Sequence, residues 1–247
     1  MEGAAFWGLA ILAATMVGLS KGGLPIVGMM SVPILAVAIS PLQAAGLLMP
    51  IYIVSDWFGL YAYRKSFDRR VLAIMAPAAA MGVFIGWATA SLVSEAVVGG
   101  VIGLLGASFA LMRLFGSGAK APARPAHIVP GVICGAASGF TSFVSHAGAP
   151  PYQIYTLPLR LPKAVFAGTS TLLFTWINAL KLPAYWSLGM VNLTTLPIAL
   201  WLMLPAALAV FAGVHLVRVL PEQLFFKLVL WALFVLSCRL IWTALPI

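Results

Sequence analysis

The residues Gly18-Leu19-Ser20-Lys21-Gly22-Gly23-Leu24-Pro25 interrupt an apolar segment that extends from Ala4 to Ile39. Glycine and proline break helical hydrogen bonding, and a lysine stands inside this break. In a bilayer, freed backbone groups and a cation persist only where protein or enclosed water satisfies them. The stretch therefore predicts a broken membrane helix whose amides and positive dipole end suit an anionic ligand. The alternative is a simple turn between two helices, with Lys21 facing water.

The composition is that of an integral membrane protein. Of the 247 residues, 63% are hydrophobic and only 8% are Asp, Glu, Lys or Arg, whereas a soluble domain carries about 25% charge. The net charge of +9 comes from bases that stand between apolar segments, so it indicates membrane orientation and not a nucleic-acid partner. The sequence has no phosphate-binding loop, no dinucleotide fingerprint and no Cys/His cluster with metal spacing, so we expect no cofactor and no metal.

The two halves of the chain repeat each other. Asp56 and Asn178 are 122 positions apart, and Ala45-Gly46 and Ala167-Gly168 share that offset. A second glycine- and proline-containing break, at residues 145–151, corresponds to the first. Each half holds about five apolar segments. Because five is odd, the second half should enter the membrane upside down relative to the first.

The distribution of lysine and arginine supports the same prediction. The loop at 64–70 is strongly basic, while its counterpart at 182–190 carries no charge, and two further loop pairs reverse in the same way. Basic loops lie in the cytoplasm, which places both termini outside. The prediction is an all-α membrane protein of two inverted-topology repeats with broken helices near mid-membrane. Its parts are a first repeat at 1–115, a cytoplasmic linker at 116–127 and a second repeat at 128–247.

The breaks contain the residues that we expect to carry function. Inverted repeats bring such breaks together near the bilayer centre, so Lys21 and His146 would flank one site. The alternatives are a Lys21 that extends to the interface and a His146 that is a neutral, hydrogen-bonded core residue. The predicted substrate-binding residues are Ser20, Lys21, Gly22, Gly23, His146, Gly148, Gln153 and Asn178.

Asp56 lies deep in the third apolar segment, where a carboxylate costs about 3 kcal/mol on insertion scales unless it is paired or protonated. One interpretation is a structural ion pair with Lys21. The other is a carboxyl that carries a proton during transport. Asn178, the counterpart of Asp56, keeps the hydrogen-bonding shape without the charge, so coupling would exist in one half only.

Several short motifs together resemble the sulfite exporter family, also called TauE/SafE or DUF81. They are the glycine-rich first break, the sequence Gly148-Ala149-Pro150-Pro151, and the segment from Lys163-Ala-Val-Phe-Ala-Gly-Thr-Ser to Asn178-Ala-Leu-Lys181. The family's glycine-rich breaks map onto Gly18, Gly22, Gly23 and residues 148–151. Members usually have more glycine than this chain has at 146–149, a difference that is a candidate for setting substrate choice.

The resemblance implies transport of small sulfur-containing anions, such as sulfite or organosulfonates like sulfoacetate, across the bacterial inner membrane. We therefore expect a multi-pass secondary transporter that exports its substrate by alternating access. Proton coupling and a homodimer are both compatible with the sequence. The alternatives are an intramembrane enzyme that uses Ser145 and His146, and a membrane scaffold subunit without transport.

Overall fold

The chain folds into helices throughout the part that the structure describes. The structure is a computed structural model that describes residues 3–90, 92, 94–115, 122–191 and 195–245, and within these ranges it contains ten α-helices and no β-strand. They are α1 (Ala4–Lys21), α2 (Ser31–Leu35), α3 (Pro41–Tyr63), α4 (Arg69–Ala88), α5 (Glu95–Phe115), α6 (Ile128–Ser145), α7 (Ala149–Thr156), α8 (Lys163–Ser187), α9 (Leu196–Val219) and α10 (Glu222–Ala244). Two 3₁₀-helices, Pro25–Met30 and Leu157–Leu159, follow α1 and α7. The all-α prediction is confirmed.

Most of the long helices have the length and composition of membrane spans. Among the described residues, seven helices qualify: α1, α3, α4, α5, α6, α9 and α10. The protein is therefore a multi-pass integral membrane protein, as its composition predicted. Helix α8 has 25 residues but is not in this set, because polar side chains recur along it.

The first break is a turn closed by glycine. Helix α1 ends at Lys21, and Gly23 has a φ of 112°, a conformation that side-chain-bearing residues rarely adopt. The N–H of Gly23 donates to the carbonyl of Ser20, and that of Leu24 donates to the carbonyl of Leu19. This pair of bonds is a Schellman motif, which satisfies the last carbonyls of a helix.

The second break is shorter than the sequence predicted. Helix α6 ends at Ser145, and His146 adopts the left-handed conformation with a φ of 53°. Helix α7 then begins at Ala149, so Pro150 and Pro151 lie inside its first turn. Proline is tolerated there because the first turn of a helix has no intrahelical acceptor for its N–H groups.

One compact unit, unit 1, consists of Met1–Phe67 and Ala167–Val219. Within it α1 and α3 both pack against α9. The backbones of α1 and α9 approach closely, because a Cβ added to Gly18 would lie only 2.0 Å from the carbonyl oxygen of Ala206. Small residues permit such close approach in membrane proteins. Unit 1 therefore combines helices from both halves of the sequence.

The other unit, unit 2, consists of Asp68–Phe166 and Leu220–Ile247. Its largest contacts join α4 to α6 and α5 to α10. Glycine again sets the spacing: a Cβ on Gly82 would lie 2.0 Å from the carbonyl oxygen of Ala136, and one on Gly139 would lie 2.0 Å from that of Ala79. Unit 2 also draws on both halves of the sequence.

The predicted linker at 116–127 lies partly outside the described residues, which omit 116–121. Residues 122–127 have no regular secondary structure. They are held to unit 2 by two bonds: the N–H of Arg124 donates to the carbonyl of Pro158 at 3.0 Å, and the Arg70 guanidinium donates to the carbonyl of Ala126 at 3.2 Å. The described part of the linker thus follows the surface of this unit.

Candidate functional site

Helix α8 presents a row of polar side chains to the interior of unit 1. Thr171, Thr175 and Asn178 are spaced four and three residues apart, which places them on one helical face. Thr171 is 1% exposed and Asn178 is 6% exposed. Burying a polar group costs free energy unless a hydrogen-bond partner satisfies it. The partners lie on α1 and α3.

Asp56 of α3 is at the centre of this arrangement. Its Oδ1 lies 2.8 Å from Nζ of Lys21, and the two side chains are only 3% and 4% exposed. Thr175 donates to the same oxygen at 2.8 Å, and the amide of Asn178 donates to Oδ2 at 3.0 Å. Both carboxylate oxygens therefore have donors, as a buried ion pair requires. Of the two interpretations of Asp56, the ion pair is present in the structure; proton coupling stays a prediction.

A second lysine, Lys181, is buried in the same unit. It is 1% exposed, and its Nζ lies 5.1 Å from the centre of the Tyr185 ring. It is also close enough to Lys21 for the two positive charges to repel each other. Among the described residues of unit 1, the buried charged side chains are Lys21, Lys181 and Asp56. By formal charge, these three side chains carry one more positive than negative charge.

The sequence-based prediction of the site did not include Lys181. It appeared only as the last residue of a motif shared with the family. Its spacing of three residues from Asn178 on α8 was the available signal, because that spacing places both side chains on the same side of the helix. A lysine inside an apolar helix is itself a candidate for function.

Hydroxyl groups from neighbouring helices satisfy the carbonyls that the first break frees. Tyr63 donates to the carbonyl of Gly22 at 2.6 Å, and Thr171 donates to that of Lys21 at 3.2 Å. Tyr52 donates to the carbonyl of Gly28 at 3.0 Å, while its ring lies 5.3 Å from Nζ of Lys21. The break therefore exposes no unsatisfied carbonyl at these three positions, as a membrane interior demands.

The amides of the first break are engaged as well. The N–H of Gly22 donates to the carbonyl of Gly18 at 2.9 Å, and that of Gly23 donates to the carbonyl of Ser20. The Ser20 hydroxyl donates to the carbonyl of Val17 in its own helix, and Pro25 has no N–H. In this conformation these groups are occupied by the protein. The predicted contact of Ser20, Gly22 and Gly23 with substrate stays a prediction.

The second break, in unit 2, is satisfied in a similar way. Thr141 donates to the carbonyl of Ala147 at 3.0 Å, and Ser138 donates to that of Gly148 at 2.7 Å. Gly148 is buried and His146 is half-buried. The two prolines of the first turn of α7 remove two amide donors from this helix start. Side chains, and not backbone amides, are thus the stronger candidates for binding an anion.

Gln153 is the buried polar side chain of unit 2 that most needs explanation. It is 0% exposed, and neither its amide nitrogen nor its amide oxygen has a hydrogen-bond partner among the described residues. A buried polar group without a partner costs about 1–3 kcal/mol, so a native protein that keeps one has a reason. Gln153 was one of the predicted substrate-binding residues.

The predicted site residues divide between the two units. Those in unit 1 are Ser20, Lys21, Gly22, Gly23, Asp56 and Asn178; those in unit 2 are His146, Gly148 and Gln153. Within unit 1 the structure brings Lys21, Asp56 and Asn178 together in one hydrogen-bonded group. The joint contribution of the two breaks to one site stays a prediction.

Comparison with known proteins gives one match. The family model described as Sulfite exporter TauE/SafE matches residues 8–240, which is almost the whole chain. No curated protein and no solved structure matches the chain.

Proposed function

Because the chain belongs to the sulfite exporter TauE/SafE family, whose members are membrane transporters and not enzymes, we propose that it is a secondary transporter that exports a small sulfur-containing or organic oxyanion. Sulfite and organosulfonates such as sulfoacetate are the proposed substrates. The single observation that supports the anion class is the burial of two lysines, Lys21 and Lys181, with one carboxylate, Asp56, in the interior of unit 1.

Lys181 is the proposed binding cation. Lys21 forms an ion pair with Asp56 at 2.8 Å, and Lys181 lies near enough to Lys21 for the two positive charges to repel each other. A singly charged oxyanion beside Lys181 would balance the cluster, and ammonium donors bind oxyanions through short, charge-assisted hydrogen bonds. Without an anion, a buried surplus charge is costly. The cluster therefore favours an anion over a neutral or cationic substrate.

Gln153 supplies a neutral contact in this proposal. Its amide offers two donors and an acceptor, and within the described residues none of them is used. An oxyanion or a water molecule that accompanies it accepts hydrogen bonds from such an amide. His146, Gly148, Ser20, Gly22 and Gly23 remain proposed contacts from the same two breaks.

The membrane potential is a sufficient driving force for export. The sequence has no nucleotide-binding motif, so the energy comes from an ion gradient or from the potential. An anion that leaves a cell with a negative interior gains about 2.3 kcal/mol per charge per 100 mV. Export that the membrane potential drives does not require proton coupling. Proton coupling through Asp56 is a separate part of the proposal.

Helix packing supports the proposed inverted repeats, with residues 1–115 and 128–247 as the two halves. In unit 1 the first helix of the first half, α1, packs on the fourth helix of the second half, α9. In unit 2 the reverse pair, α6 and α4, packs in the same way. Asp56 and Asn178, which the repeat makes equivalent, bond to each other at 3.0 Å. A twofold pseudo-axis that relates inverted repeats brings equivalent residues near the axis into contact with each other.

Transport by purified protein in lipid vesicles tests the proposal. We expect uptake of labelled sulfite or sulfoacetate that a membrane potential accelerates, with protein-free vesicles as the control. A pH gradient imposed at constant potential then separates proton coupling from electrogenic movement. Absence of flux for both anions under every gradient would contradict the proposed substrate class.

A further inference from the structure

Unit 2 contains a basic cleft that the proposed transport function does not use. It has a volume of about 480 Å³ and lies where the C-terminal end of α5, the 3₁₀-helix Leu157–Leu159 and the N-terminal end of α10 meet. Its charged lining residues, among those described, are Arg113, Arg160, Glu222 and Lys227. We call this site the basic cleft.

The basic cleft carries more positive than negative charge. Arg113, Arg160 and Lys227 face one carboxylate, that of Glu222, in the described lining. Arg160 and Arg124 both act on Arg113 as repelling charges, so these guanidinium groups are near one another. Cations held together in this way are stabilised by a multivalent anion such as a phosphate group.

The backbone at Arg160 adds to this argument. Arg160 has a φ of 52°, in the left-handed region that costs a residue with a Cβ about 1–2 kcal/mol. Glycine would occupy that position without the cost. The chain instead has arginine there, and its side chain lines the basic cleft.

Apart from Gln223, the rest of the described lining is apolar: Leu114, Leu157, Phe226 and Leu230. Beside it, Met112 and Phe115 of α5 are 68% and 71% exposed, as expected of side chains that contact acyl chains. Phe115 also meets Trp231 edge to face, with ring centres 6.0 Å apart.

We propose that the basic cleft binds the phosphate headgroup of an anionic phospholipid, with its acyl chains lying along the exposed apolar side of α5 and α10. Basic pockets between membrane helices on the cytoplasmic side bind such headgroups. The basic residues of the cleft belong to chain segments that the charge distribution orients toward the cytoplasm. A free oxyanion shares the phosphate chemistry but gains nothing from the apolar wall, so a lipid is the better fit.

Titration of delipidated protein in a neutral detergent tests this proposal. The three probes are phosphatidylglycerol, phosphatidylcholine with the same acyl chains, and inorganic phosphate, and the readouts are lipid affinity and thermal unfolding. We expect phosphatidylglycerol to bind and stabilise more strongly than the other two. Equal effects of the two lipids would overturn the proposal. Inorganic phosphate that stabilises as well as phosphatidylglycerol would also overturn it, in favour of a free-anion site.

Variants locate the binding site. Arg113→Gln combined with Arg160→Gln should weaken phosphatidylglycerol binding about 25-fold, because each basic residue near an anionic headgroup contributes about fivefold. Replacing both by lysine keeps the charges and should retain most of the binding. The matched control is Lys65→Gln combined with Arg69→Gln, which removes two exposed charges from the other basic loop. Equal losses in the test and control variants would assign the effect to net charge and overturn the proposed site.

Discussion

The carboxylate of Asp56 accepts from three side chains, Lys21, Thr175 and Asn178, all inside unit 1. Removing two charges from water is expensive, and such a pair is retained only with good geometry and further hydrogen bonds. Here the further bonds are present. The pair therefore joins α1, α3 and α8, and the predicted contact of Lys21 with substrate stays a prediction.

A double-mutant cycle checks this role. We expect Lys21→Met and Asp56→Leu each to lower the free energy of unfolding by about 3–5 kcal/mol, because each leaves an uncompensated buried charge. The double variant should lose much less than the sum of the two, since neither charge remains. Denaturant unfolding in detergent micelles measures all three. Strictly additive losses would show that the two side chains do not act as a pair.

Gln153 offers a test of function against stability. We expect Gln153→Leu to raise the free energy of unfolding by about 1 kcal/mol, because it removes a buried amide without a partner, and to reduce transport. The matched control is Ser237→Ala, since the Ser237 hydroxyl is also buried in unit 2 without a partner among the described residues. That variant should gain stability and keep transport. Full transport by Gln153→Leu would remove Gln153 from the proposed site.

At the scale of single residues, the sequence could predict candidate functional side chains but not the residues that they contact. Lys21 and Asp56 were both recognisable as charges inside apolar segments, and their pairing was one of two interpretations. Lys181 was missed as a site residue because its burial depends on how α8 is rotated against α1 and α3. A single apolar segment does not encode that rotation.

The broken helices show how a membrane protein accommodates irregular backbone. In both breaks, carbonyls accept hydrogen bonds from side-chain hydroxyl groups. The donors are Tyr63 and Thr171 in unit 1, and Ser138 and Thr141 in unit 2. Glycine and proline located the breaks in the sequence. The engagement of the amides was not predictable, because it depends on the Schellman motif at Gly23 and on the early start of α7.

Substitution of Gly23 tests the first break. We expect Gly23→Ala to destabilise the protein by about 1–2 kcal/mol for its left-handed backbone and by about 1–3 kcal/mol more for crowding. A Cβ there would lie 2.6 Å from the Tyr63 hydroxyl. Gly189→Ala is the matched control, since Gly189 has a φ of 67° but no atom within 4 Å of an added Cβ. Equal thermal shifts in the two variants would show that crowding at the break contributes nothing.

At the scale of the whole molecule, membrane class and helix number followed from the sequence, whereas the compact units did not. Each unit takes helices from both halves of the chain. The contacts of α1 with α9 and of α4 with α6 join residues far apart in sequence through small side chains that leave no periodic signal. The sequence repeat and the packing units are therefore separate levels of organisation.

The proposed topology has a direct test. We expect a periplasm-dependent reporter fused to the C-terminus to be active, because the basic loops hold the other membrane face in the cytoplasm. A reporter inserted in the linker at 116–127 should be active only in its cytoplasmic form. The opposite pair of results would contradict the orientation that the basic loops predict, and a linker and C-terminus on the same side would contradict the inverted repeat.

The proposed anion binding depends most on Lys181, the buried lysine of unit 1 that is additional to the Lys21–Asp56 ion pair. Equilibrium binding of labelled sulfite and sulfoacetate to purified protein measures it, with Lys181→Gln as the test variant and Lys65→Gln, an exposed lysine, as the matched control. We expect the control to bind like the native protein and Lys181→Gln to bind at least about tenfold more weakly, the loss of one charge-assisted contact. Unchanged affinity in a folded Lys181→Gln protein would contradict the account.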